Sequence, residues 1–188
     1  MHATPDEVIA ATRLWIERAV IGLNLCPFAK AVYVKEQIRY VVSEATTTEM
    51  LLQELERELE KLDRGSADAI DTTLIMHPRM LNDFLDYNDF LELADALVEG
   101  MDLEGALQVA SFHPQYQFAD TQANDMGNYS NRSPYPTLHL LREASVDAAV
   151  AAFPEANVIY ERNIETLRNL GIDAWLALGL GAPMRSKH

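Results

Sequence analysis

Two stretches, IDTTLIMHP at residues 70–78 and ALQVASFHP at residues 106–114, decide how this chain is read. Each is a short run of apolar and β-branched residues that stops at His-Pro, and proline ends a strand because it removes a ladder donor. Strands are therefore predicted over Ile70–Met76 and Ala106–Phe112. Between them, a helix from Met80 to Glu99 places Phe84, Tyr87, Leu91, Ala94 and Val98 on one face, and Gly100 closes it. Towards the N-terminus, IRYVVSEA at residues 38–45 reads as another strand. Thr46–Glu49 then has the form of a capping box before Leu51, Leu52, Leu55, Leu59 and Leu62, with Gly65 at the end. Strand–helix–strand–helix–strand alternation is the pattern of βαβ crossovers, so these three strands are expected to run the same way. His77 and His113 then leave the sheet together at its carboxyl edge, where open α/β sheets bind ligands.

Outside this core, Thr4-Pro5-Asp6-Glu7 caps a first helix with Val8, Ala11, Trp15, Ala19 and Leu23 at helical spacing. Residues 24–37 read as irregular, broken by Pro27. Residues 114–137 show no periodicity, and a loop of that length in a compact domain is generally functional or disordered. Tyr116, Phe118 and Tyr129 favour an ordered loop lying over the two histidines. Leu138–Arg142 is a fourth strand or the first turn of a helix. Ser145–Ala152 and Pro154–Leu170 read as helices, the second stopped by Gly171. The expected fold is one α/β domain over residues 1–180, a mixed, mostly parallel sheet of about four strands flanked by helices. An α+β two-layer sandwich is the alternative, and residues 181–188 are expected to form a mobile tail.

Length and composition narrow the function. At 188 residues with 48% hydrophobic and 23% charged residues, the chain suits one hydrophobic core and excludes a collagenous or wholly disordered protein. One cysteine rules out an intrachain disulfide. The net charge of −14 is concentrated in residues 37–106, which hold five Lys or Arg against seventeen Asp or Glu. Such a field repels phosphate backbones and anionic lipid, so neither nucleic acid nor membrane is an expected partner. No apolar run reaches bilayer length and the N-terminus carries no signal-peptide core, so a cytoplasmic setting is expected. The absence of GxGxxG, GxxxxGK[ST] and GxSxG patterns removes support for dinucleotide, nucleotide and serine-esterase chemistry.

The candidate site residues follow from the sheet edge. His113 borders the long loop and can act as a general acid/base near neutral pH, with His77 or His139 assisting. The same ring positions also suit a plain strand terminator. Arg132 and Arg142 stand out in an acidic chain, because a guanidinium fork matches a carboxylate or phosphate. Their other use is pairing with Asp120, Asp125 or Glu143. Asn128, Asn131, Ser133 and Tyr116 complete a ligand-binding set, while Tyr129 and Tyr135 suit packing. Cys26 is a candidate nucleophile, alone or paired with His113, or else a small buried hydrophobe. No cofactor is identified. A divalent metal on His77, His113 and His139 with Asp120 or Asp125 is a competing use of the same atoms, without HExxH spacing to support it.

LNLCPFA at residues 23–29, SFHPQYQF at 111–118 and NRSPYPTLHLLRE at 131–143 carry a resemblance. Over nearly its whole length the chain resembles a family of bacterial proteins catalogued as a domain of unknown function. That resemblance implies a single domain in a bacterial cytoplasm and supplies no activity. The residues themselves favour a hydrolase or group transferase acting on a small anionic metabolite. A non-catalytic small-molecule binding or regulatory module is the alternative, as is an acidic protein-interaction domain; oligomeric state is not legible.

Overall fold

The computed structural model describes residues 3–153 and 158–180. The expected tail at 181–188 and the start of the predicted helix at Pro154 lie outside the described residues. In chain order the elements are α1 (Pro5–Trp15), continued by a π-helical segment (Ile16–Ile21), α2 (Ala29–Val34), β1 (Ile38–Val42), α3 (Thr48–Arg64) and β2 (Thr72–Met76). After them come α4 (Phe84–Gly100), β3 (Leu107–Phe112), a 3₁₀ segment (Met126–Asn131), β4 (Thr137–Arg142), α5 (Glu143–Ala152) and α6 (Ile159–Ala177).

The strands form one sheet in the order β1-β2-β4-β3. β1 and β2 are parallel, and β4 lies antiparallel to both β2 and β3. β1, β2 and β3 therefore point the same way, but β4 is inserted between β2 and β3, so only one neighbouring pair is parallel. The fold is α/β with a mixed sheet, and "mostly parallel" describes strand direction rather than pairing. The uncertainty over Leu138–Arg142 resolves as a strand, because Leu138 and Leu140 fill one face while His139 and Leu141 take the other.

Helices cover both faces of the sheet. On one, Ile75, Leu138, Leu140 and Leu107 meet the leucine stripe of α3 (Leu51, Leu55, Leu59, Leu62) and Tyr87, Phe90, Ala94 and Val98 of α4. Arg39 on β1 donates Nε and Nη2 to Glu58 of α3 at 2.6 and 3.0 Å, fixing the helix on that edge. On the other face, Leu74 and Met76 meet Val8, Trp15, Ile16, Ala19 and Leu25 from the N-terminal segment, with Leu167 and Trp175 of α6.

Local chemistry explains the element ends. Thr4 and Glu7 form the expected capping box on α1. The cap of α3 is Thr47, which accepts from Met50 N, rather than Thr46. α4 starts at Phe84 and not at Met80, because the Asp83 carboxylate accepts from Leu85 N and Asp86 N and so sets the first turn there. The π-helical segment runs into Gly22, where any Cβ would stand 2.3 Å from the Arg18 carbonyl oxygen. Residues 24–37 are not wholly irregular, since α2 forms within them. Gly171 does not stop α6; at φ 73 it makes a kink, after which the helix resumes to bury Trp175. Among the described residues no helix is long and apolar enough to cross a membrane.

Candidate functional site

His77 and His113 do leave β2 and β3 at one edge, on the α4 side, and both are fully buried. Tyr87 lies between them, stacked on His77 at 5.7 Å and tilted on His113 at 5.0 Å. Its hydroxyl donates to Thr137 O (2.8 Å) and accepts from Phe112 N (3.2 Å). His113 Nδ1 accepts from Gln115 N at 3.0 Å, so Nε2 carries the proton and donates to Leu81 O, also at 3.0 Å. His77 Nδ1 donates to Met80 O at 3.3 Å, and its buried Nε2 has no partner among the described residues. Burial depresses both pKa values to about 4, so both rings are neutral near pH 7. The segment 80–83, which the sequence pattern assigns to the helix, supplies these carbonyls from Met80 and Leu81.

The long loop is ordered over this edge, and its polar side chains bind the loop itself. Asn128 Oδ1 accepts from Phe118 N and Thr121 Oγ1, and Nδ2 donates to Gln122 O. Asn131 Nδ2 donates to Ser111 O and Ser133 Oγ to Tyr135 O. Arg132 donates to Tyr116 O and Ala123 O and lies over the Tyr129 ring at 4.2 Å. Tyr116 packs on Phe84 and Phe118. α6 holds the loop down through Tyr129–Trp175, Phe118–Tyr160 and an Arg168–Asp125 ion pair.

The expected convergence of Arg132 and Arg142 does not occur. β4 separates them: Arg132 precedes it, whereas Arg142 ends it at the opposite edge and donates to Gly65 O and Ile70 O beyond α3. Nor do the three histidines meet, because His139 faces away from the α4 side. Among the described residues no group of three or more His, Cys, Asp or Glu is placed to hold a metal.

His139 opens instead on a cavity of about 700 Å³ between the sheet and the N-terminal segment, α2 and α5. Its floor is Ile38, Thr72, Leu74, Gln108, Ala110, Phe112, His139 and Leu141, all on one sheet face by the strand register. Trp15, Cys26 and Phe28 line it from one side, and Val146, Ala149 and Phe153 from the other. Phe28 and Phe153 meet edge-on at 6.1 Å and join the two walls. Neither α2 nor α5 buries a residue completely, because the faces they turn inward border a void rather than packed side chains. The volume lies within the roughly 300–1,000 Å³ typical of small-molecule sites.

Few polar groups interrupt this lining: Thr72, Gln108 and His139 on the floor, with Asp71, Ser145 and the Cys26 thiol around it. Thr72 Oγ1 lies 2.6 Å from His139 Nε2 and donates to Leu140 O, also at 2.6 Å. Ser145 Oγ donates to Asp71 at 2.6 Å, and Asp71 is the one charged side chain among the described lining residues. Burial lowers the His139 pKa to about 4 and raises that of the Cys26 thiol, whose bonds from the Phe28 and Ala29 backbone N–H groups offset it only in part. At neutral pH the imidazole is uncharged and the cysteine is a thiol rather than a thiolate. Of the sequence candidates, the cavity brings together Cys26 and His139. Asp71, Thr72 and Ser145 were not singled out. The signal for Thr72 is its place on the same strand face as Leu74, whose antiparallel partner is His139, the one polar residue of LHLL.

A family model described as protein of unknown function DUF1415 matches residues 7–177. The chain belongs to that family. No curated protein and no solved structure matches it. The matched DUF1415 span takes in every described residue that borders the cavity, from Trp15 to Phe153.

Proposed function

We propose that this DUF1415 protein binds a small, largely apolar molecule in the cavity between the sheet and helices α2 and α5. The observation that carries the reading is the cavity itself: about 700 Å³, apolar on nearly all sides, walled by two helices with no fully buried residue. Among the described lining residues there is no Lys or Arg, and Asp71 would repel an anion, so the chemistry favours an uncharged ligand over the anionic metabolite expected from Arg132 and Arg142. The reading is a binding module first. Cys26 as an un-ionised thiol and His139 as a neutral ring supply no activated nucleophile.

N-phenylnaphthylamine, a neutral apolar fluorophore, tests this directly. The expected result is saturable one-to-one fluorescence enhancement, slower alkylation of Cys26 by N-ethylmaleimide when the probe is bound, and loss of both effects in Ala149→Trp, which fills the space from α5. A ligand at 100 times its dissociation constant should add about 2.7 kcal/mol of stability. Binding that survives Ala149→Trp and leaves Cys26 alkylation unchanged would place the probe elsewhere and end the proposal.

A further inference from the structure

Proton accounting around His139 defines the polar part of the ligand. Thr72 has one hydroxyl proton, and it goes to Leu140 O, since a carbonyl oxygen can only accept. The 2.6 Å contact between Thr72 Oγ1 and His139 Nε2 must then be a bond donated by Nε2–H. A neutral imidazole protonated at Nε2 carries its lone pair on Nδ1. Among the described residues Nδ1 has no hydrogen-bond partner, yet it is not among the sealed, unsatisfied atoms. The open volume that His139 borders is the cavity. The second polar group is arranged the same way. Ser145 spends its proton on Asp71, so a carboxylate and a hydroxyl lone pair remain. Thr72, His139, Ser145 and Asp71 therefore offer acceptors, their own protons being committed inside the protein. The donors left on the described lining are the amide of Gln108, paired with Leu141 across the sheet from His139, and the Cys26 thiol, a weak one.

We infer that the ligand is an uncharged apolar molecule bearing a hydroxyl group, phenolic or alcoholic, which donates to Nδ1 of His139. This rests on the cavity being a ligand site, as proposed above, and adds the functional group it selects. A carboxylate or phosphate would set lone pair against lone pair at both His139 and Asp71. An ether or ketone of the same shape would leave Nδ1 unsatisfied on binding, a loss that protein sites convert into discrimination.

The test is competition against bound N-phenylnaphthylamine by three molecules of nearly equal size: para-propylphenol, its methyl ether and para-propylbenzoate. The phenol is expected to bind about tenfold more tightly than the ether, as for one buried hydrogen bond, and the benzoate least of all. In His139→Leu, phenol and ether should bind alike while both still displace the probe. In the unmodified protein, nitrogen NMR of the imidazole should report an unprotonated Nδ1 whose resonance moves with the phenol and not with the ether, so the outcome does not depend on any variant folding. Equal affinity for phenol and ether in the unmodified protein would overturn the hydroxyl assignment and leave the apolar site standing. Tighter binding of the benzoate would overturn it in favour of an anion. If none of the three displaces a probe shown to sit in the cavity, the hydroxyl assignment falls alone; if the probe itself does not bind there, both readings fall.

Discussion

The two faces of the sheet use histidine in opposite ways. On the α4 side, His77 and His113 are sandwiched with Tyr87, and three of their four ring nitrogens are bonded to backbone. On the other side, His139 is fixed at one nitrogen by Thr72 and left with a lone pair against a void. The first arrangement is how a protein spends polar groups to hold a loop in place. The second leaves an acceptor at the edge of an open volume, where a ligand can donate to it. Nearness to a long loop and to a sheet edge pointed to the first pair. A free lone pair that borders open volume, unlike the sealed Nε2 of His77, points to the second.

Acid is expected to have the largest effect on both regions at once. His77, His113 and His139 each have a folded pKa of about 4, below the ordinary value of 6.5. The unfolded chain therefore binds protons that the folded chain refuses, and stability rises with pH across that window. Their contribution is complete above about pH 6.5, falls as the pH is lowered towards 4, and has no further pH dependence below it. For the fully buried His77 alone the loss is roughly 3 kcal/mol. Denaturant unfolding between pH 7 and 4 should show this decline, with a smaller slope in either His113→Leu or His139→Leu. A flat profile would mean that the rings titrate normally and that the packing described on both faces is wrong.

At constant pH the two regions should separate. His113→Leu removes two part-buried bonds, to Leu81 O and from Gln115 N, and leaving a buried polar group unsatisfied costs about 1–3 kcal/mol. A loss of about 3 kcal/mol is expected, with probe binding in the cavity unchanged. His139→Leu leaves Thr72 still donating to Leu140 O and places an apolar side chain beside an apolar cavity. It should cost less, about 1 kcal/mol, and alter ligand preference. The reverse ranking in equilibrium unfolding would show that His139 is the structural ring.

Much of this fold was legible because its strands announce their own ends. His-Pro closes β2 and β3, the threonine caps place α1 and α3 to within a residue or two, and the apolar stripe from Phe84 to Val98 marks α4, whose Asp83 cap went unread. What was missed has physical causes. α2 follows Pro27, spans six residues and has no side-chain cap, so it offers neither length nor a start signal. Gly171 reads as a stop, but burial of Trp175 outweighs the break. The insertion of β4 between β2 and β3 is a tertiary fact with no local signature. The cavity was least legible of all, because it is made by small side chains in separate elements, among them Ala29, Ala31, Ala110, Ala149 and Ala152. An alanine on a helix face looks the same in sequence whether it packs closely or leaves a space. Cys26 and His139 were visible as reactive types; that they share one wall-and-floor arrangement was not.

Arg142→Lys carries the smallest expected effect and sharpens the contrast between an arginine that recognises a ligand and one that closes a helix. The guanidinium of Arg142 spans Gly65 O and Ile70 O at 2.9 to 3.3 Å, tying the end of β4 to the segment that leaves α3. An ammonium is a point donor and cannot bridge both carbonyls in the same way. One of these bonds should be lost, costing about 0.5–1.5 kcal/mol by chemical denaturation. Affinity for N-phenylnaphthylamine and the preference for phenol over ether should not change, because Arg142 is not part of the cavity lining. An anion site built on the Arg142 fork would behave otherwise, with little change in stability and a sharp loss of carboxylate or phosphate binding. The two results differ in which measurement moves, so even an effect near the limit of detection in unfolding separates a backbone clamp from a ligand clamp.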